Sequence, residues 1–154
     1  MDFLSTLHPK VIHFPIAFLL GYFLFELLGV IFKKDFLSKA AHLLLFLGVL
    51  GALAAVLTGH EAEEAFDYWN KKSGALMEEH EMYANITLWY FTALLLLRTF
   101  VAFNKKFIGI VRYVILVLAL VGVYFVFQTG DHGGKMVYKY GVGTQYKIQQ
   151  MESE

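Results

Sequence analysis

The chain has 154 residues, 58% of them hydrophobic and only 17% charged, with zero formal net charge and no cysteine. Soluble domains average about 45–50% apolar and about 25% charged, so this composition points to a membrane protein, of a length that suits one domain. The charge balance gives no electrostatic case for nucleic acid, and the missing cysteine excludes disulfides, iron–sulfur clusters, thiolate zinc sites, covalent c-type haem attachment and a cysteine nucleophile.

The first apolar run opens on His8-Pro-Lys-Val-Ile-His-Phe-Pro15, with two histidines and two prolines at its mouth. It lacks a basic leader and a close small-residue cleavage site, so the first helix is expected to stay in the mature protein. Four runs have the roughly 20 residues that a helical span needs: residues 11–32, 40–58, 83–103 and 108–127. They predict an all-α fold, an antiparallel bundle of four transmembrane helices over 1–129, followed by a Gly- and Tyr-rich tail over 130–154.

The linkers orient the bundle. Lys33, Lys34 and Lys39 follow the first run, and Arg98, Lys105, Lys106 and Arg112 lie about the junction of the last two. The stretch from His60 to Glu81 is acidic instead, with Glu61, Glu63, Glu64, Asp67, Glu78, Glu79 and Glu81. Basic loops stay in the cytoplasm, so both termini and the acidic loop are expected on the outer, periplasmic side of a bacterial inner membrane. Gly130 to Gly134 reads as a turn that folds the tail back over the outer end of the bundle. The sequence shows neither an internal repeat nor a low-complexity segment.

In this topology every helix carries a histidine near its outer end: His8 and His13 on the first, His60 on the second, His80 on the third and His132 after the fourth. Neutral imidazole is the commonest metal ligand, and carboxylates able to orient it (Glu61, Glu64, Glu79, Glu81, Asp131) crowd the same end. Two readings follow. One is haem b between His13 and His80, with Ala17, Gly21, Ala52, Ala55 and Ala84 giving room and Phe14, Phe18, Tyr83 and Trp89 lining it. The other is a bare zinc, copper or iron ion held by His60, His80, His132 and Glu64. His8 reads as a cap at the water interface, and His13, on a face shared with Ala17 and Gly21, as the deeper ligand. A third reading is a structural or assembly subunit with the histidines merely hydrogen-bonded. Small residues at Gly48, Ala52, Ala55 and Gly59 suit close helix packing.

The cytoplasmic half holds Glu26, His42 and Arg98. An unpaired charge at that depth is costly, so a Glu26–Arg98 ion pair is expected, with His42 nearby and a structural role. No nucleophile elbow, phosphate-binding glycine loop or His-Glu-x-x-His string is present, which favours an electron-transfer or complex subunit over a stand-alone enzyme.

These residues bear a resemblance. The chain resembles a family of uncharacterised bacterial four-helix membrane proteins that open with His-Pro…Val-His-Phe-Pro-Ile-Ala, here His8-Pro9 and Ile12 to Ala17. Further matches are Leu47-Gly48, Ala54-Ala55 and Thr58-Gly59, then His80 with Thr87, then Gly133-Gly134, Val137-Tyr138 and Gly141-Val142-Gly143. Met136 stands where the family usually has leucine. The resemblance implies a haem-binding role, because members look fused or adjacent to cytochrome modules, and hence a cytochrome or larger respiratory complex as partner. It selects His8, His13 and His80 as family-type positions, while His60 and His132 look particular to this chain.

Overall fold

A computed structural model describes residues 3–66, 69–104 and 109–144. Lys105 and Lys106, Asp67 and Tyr68, and the stretch 145–154 lie outside the described residues. Five helices follow in order: α1 (Phe3–Val11), α2 (His13–Phe32), α3 (Asp35–Glu64), α4 (Lys71–Phe103) and α5 (Ile110–Tyr140). The described residues form no strand. Helices α1 and α2 make one kinked span. Pro15 has no N–H to give to the Val11 carbonyl and its ring crowds that carbonyl, so the helix breaks at Ile12. Ile12 itself keeps helical dihedrals, and bonds from Ile12 to His8 and from Ile16 to Ile12 carry the chain across.

Thr6–Phe32, Asp35–Glu64, Lys71–Phe103 and Ile110–Tyr140 are each long and apolar enough to cross a bilayer. The last three have 30, 33 and 31 residues, about 45–50 Å at 1.5 Å per residue, against a hydrocarbon core of about 30 Å. The excess corrects the sequence-based boundaries. Loss of apolarity marks where the bilayer ends and not where the helix does. Helix α3 runs on through Glu61 and Glu64, and α4 begins at Lys71 and not near Tyr83. The acidic loop shrinks to the connection 65–70. There the Asn70 side chain accepts from the Lys72 and Ser73 amides, and Ser73 Oγ accepts from the Asn70 amide at 3.1 Å, a capping box that starts α4. The expected turn at Gly130–Gly134 is also corrected. All three glycines in that stretch are helical, and the helix stops only at Gly141, in the left-handed region at φ 65°.

The helices form a closed ring in which α2 touches α3 and α5, α4 touches the same two, and α1 lies on α3. Thus α2 and α4 face each other across the diagonal. Leu19, Tyr22, Leu45, Phe91, Leu94 and Ala119 fill the centre, with the Tyr22 and Phe91 rings edge-to-face at 6.4 Å. Close approach depends on glycine. The Leu19 side chain occupies the space a Cβ on Gly48 would need, and the Phe91 ring does the same at Gly122. Large apolar side chains such as Phe14, Leu57, Trp89, Phe100 and Phe127 point outward, the arrangement a lipid-facing surface requires.

Candidate functional site

Burial in α2 recurs at Pro15, Leu19, Tyr22, Glu26 and Gly29, alternating steps of four and three residues. Seven residues before Pro15 the same stripe meets His8. In α4 the stripe runs Thr87, Phe91, Leu94, Arg98 and Val101, and seven residues before Thr87 it meets His80. Both histidines are half-buried. Each stands eighteen residues before a buried charge, five helical turns or about 27 Å, close to the thickness of the hydrocarbon core.

The two rings are held alike. His8 Nδ1 lies 3.2 Å from Thr58 Oγ1, and the Ala55 carbonyl is a further acceptor for that ring. Thr58 Oγ1 donates in turn to the Ala54 carbonyl at 2.9 Å. His80 Nδ1 lies 3.0 Å from the Thr129 carbonyl, to which it donates. The Thr129 hydroxyl is 3.0 Å from Thr87 Oγ1. The rings sit against glycines. A Cβ on Gly59 would come within 3.0 Å of His8 Cε1, and one on Gly133 within 3.1 Å of His80 Cε1. His8, His80 and His132 lie near enough for their charged forms to interact, so the three imidazoles share one neighbourhood. Nδ1 is thus engaged on both the His8 and His80 rings, the pattern by which partners behind a ligand fix its tautomer and orientation.

His13 is placed differently from the sequence reading. It lies exposed on the outward face, together with Ala17 and Phe14, while Gly21 packs on Leu44 of α3. The i, i+4 relation of His13, Ala17 and Gly21 is real, but that face is not the buried one. His60 is also outward. Its Nε2 meets Glu64 Oε1 at 3.3 Å with both side chains about two-thirds exposed. Both nitrogens of His132 are committed, Nδ1 at 2.6 Å from the Gln128 carbonyl and Nε2 at 3.2 Å from Glu79, and its ring stacks on Tyr83 at 5.1 Å. His60, His80, His132 and Glu64 therefore do not converge, and among the described residues no group of three or more such side chains could hold a metal ion. Ala55 enters the site through its carbonyl, not as a gap. Thr58, Gly59, Thr129 and Gly133 were missed as site residues. The signal that finds Gly59, Thr129 and Gly133 is the four-and-three stripe of α3 and α5 carried on from Ala52 and Val126.

At the other end Glu26, Arg98 and His42 do come together. Arg98 donates Nε and Nη2 to Glu26 Oε2 at 3.0 and 2.8 Å, and Nη2 also reaches the Ser38 carbonyl at 2.9 Å. Arg98 Nη1 is 2.8 Å from His42 Nδ1. Arginine can only donate, so His42 Nδ1 accepts and Nε2 carries the proton, 3.4 Å from Thr99 Oγ1. Both nitrogens of His42 are thereby engaged. The network is a buried ion pair with its remaining donors satisfied, the arrangement that fixes helix register.

Comparison with known proteins returns no match among the curated proteins and none among solved structures. The model of the family described as "Predicted membrane protein (DUF2231)" matches residues 4–146, and the chain belongs to that family.

Proposed function

We propose that this chain is a haem b protein of the bacterial inner membrane, in which His8 and His80 would hold the haem iron and electron transfer at the outer face would be its work. One observation carries the reading. Two histidines on diagonally opposed spans, at the same level, are each anchored through Nδ1 to a neighbouring helix. Two such imidazoles, with no group of three or more ligands among the described residues, suit a haem better than a bare zinc, copper or iron ion. The donor set fits: Gly59 and Gly133 keep the rings close to α3 and α5, and Thr58 with the Ala55 and Thr129 carbonyls hold the tautomers.

A haem bound there supplies one-electron chemistry. The chain's own residues orient the imidazoles and seal the site from the basic half through the Leu19–Phe91 core. The basic end (Lys33, Lys34, Lys39, Arg112) and the acidic end (Glu61, Glu64, Glu78, Glu81) support both termini lying outside. The histidine pair would then stand near the outer water, within reach of an extracytoplasmic cytochrome or a larger respiratory complex. The test is a reduced-minus-oxidised spectrum of protein purified from haem-replete cells, with elemental analysis alongside. A Soret and α band at about one haem per chain supports the proposal. Stoichiometric zinc, copper or non-haem iron instead would favour the bare-ion reading, and neither haem nor metal would favour a structural subunit.

A further inference from the structure

The two halves of the chain repeat one unit, although their sequences do not show it. Pro15, Leu19, Tyr22, Glu26 and Gly29, the buried positions of α2, each precede a buried position of α4 (Thr87, Phe91, Leu94, Arg98, Val101) by 72 residues. Ala41, Leu45, Gly48 and Ala52 of α3 each precede a buried position of α5 (Ile115, Ala119, Gly122, Val126) by 74 residues. The contacts repeat with the same offsets. Leu19 on Gly48 answers to Phe91 on Gly122, and His8 on Gly59 answers to His80 on Gly133. The Ala55 carbonyl that faces His8 answers to the Thr129 carbonyl that faces His80. Since α2 and α4 run in the same direction and each touches both α3 and α5, the operation relating the halves is a two-fold axis along the bundle. Parallel repeats about the membrane normal are a known way of building a site at the repeat interface.

We infer that the His8–His80 site consists of two equivalent half-sites about this axis, in each of which an imidazole rests on a glycine of the following span, one turn beyond the carbonyl that faces it. Gly59 and Gly133 are then positioning residues for whatever the two imidazoles hold. A methyl group on either would push Cε1, the atom next to Nε2, and spoil one half-site only. Gly130 and Gly134 have open space where a Cβ would go and serve as controls on the same helix.

The inference uses the haem reading for its first readout and not for its argument. Full-length Gly59→Ala, Gly133→Ala, Gly130→Ala and Gly134→Ala are compared with wild type by haem titration. Loss of a supporting residue behind a metal ligand commonly lowers affinity about 10- to 100-fold. The first two variants should each lose haem affinity at least about 10-fold and by similar factors, and the controls should bind as wild type does. A loss in only one of the first two, or equal losses in the controls, overturns the inference. If wild type binds no haem, the functional proposal fails, and the half-sites are read by NMR of protein carrying isotope-labelled histidine. Gly59→Ala should then move only the His8 ring signals and Gly133→Ala only those of His80; any other pattern overturns the two half-sites independently of the haem.

Discussion

Arg98 and Glu26 face each other across the diagonal of the bundle, 2.8 Å between Nη2 and Oε2, with both side chains all but sealed from the surface. They occupy equivalent positions in the two halves, so opposite charges meet where a two-fold repeat of one residue would have set like charge against like. Breaking a buried pair by removing one partner costs about 3–5 kcal/mol, whereas an apolar replacement of both is close to neutral. Arg98→Ala and Glu26→Ala should each lower the thermal unfolding midpoint in detergent sharply, and Glu26→Met with Arg98→Met should recover most of the loss. A double variant as damaged as the singles would contradict this account.

His42 tests the role of the network around that pair. His42→Ala removes the acceptor that Arg98 Nη1 meets at 2.8 Å, and losing a buried hydrogen bond to a charged group costs about 1–3 kcal/mol. The melting temperature should fall, while any cofactor content per protein stays unchanged, because His42 lies at the opposite end from the site. Loss of cofactor in His42→Ala with little loss of stability would place this histidine in the site after all.

Helix contact at Gly48 and Gly122 should be unforgiving. An added methyl group at either has to displace a packed side chain, and overpacking of a close-fitting core costs about 1–3 kcal/mol. Gly48→Ala and Gly122→Ala are expected to destabilise, with partial rescue by Leu19→Ala in the first and Phe91→Leu in the second. Denaturation curves of the singles and doubles check both halves of the prediction.

The absence of cysteine makes the topology easy to measure. Lys71 opens α4 at the acidic end and Lys34 precedes α3 at the basic end, both exposed. In intact cells a membrane-impermeant thiol reagent should label Lys71→Cys and not Lys34→Cys. The reverse pattern would invert the orientation and put the histidine pair on the cytoplasmic side.

Much of this fold was legible because bilayer physics writes it into composition. Four long apolar runs separated by charged linkers leave few alternatives, and the cost of a lone charge pointed to Glu26 and Arg98. The ends of the helices were not legible, since Glu61 to Glu64 and Asp131 to Lys139 are polar and still helical. The site was only half legible. His80 was named from its position, but His13 was chosen over His8 from a face that turned out to be the outward one. Small residues at Ala17 and Gly21 look like room for a ligand, whereas the buried face is marked by the four-and-three rhythm that runs through Glu26 to Gly29. The repeat was hidden because equivalent positions hold unrelated side chains: Pro15 and Thr87, Leu19 and Phe91, Glu26 and Arg98.

The reduced-minus-oxidised spectrum of wild type beside His8→Ala, His80→Ala and His13→Ala tests the central claim most directly. Wild type and His13→Ala should show the Soret and α bands of a six-coordinate haem b, and His8→Ala and His80→Ala should each lose them. A haem-free wild type, or bands that vanish in His13→Ala and survive in His8→Ala, would contradict the account.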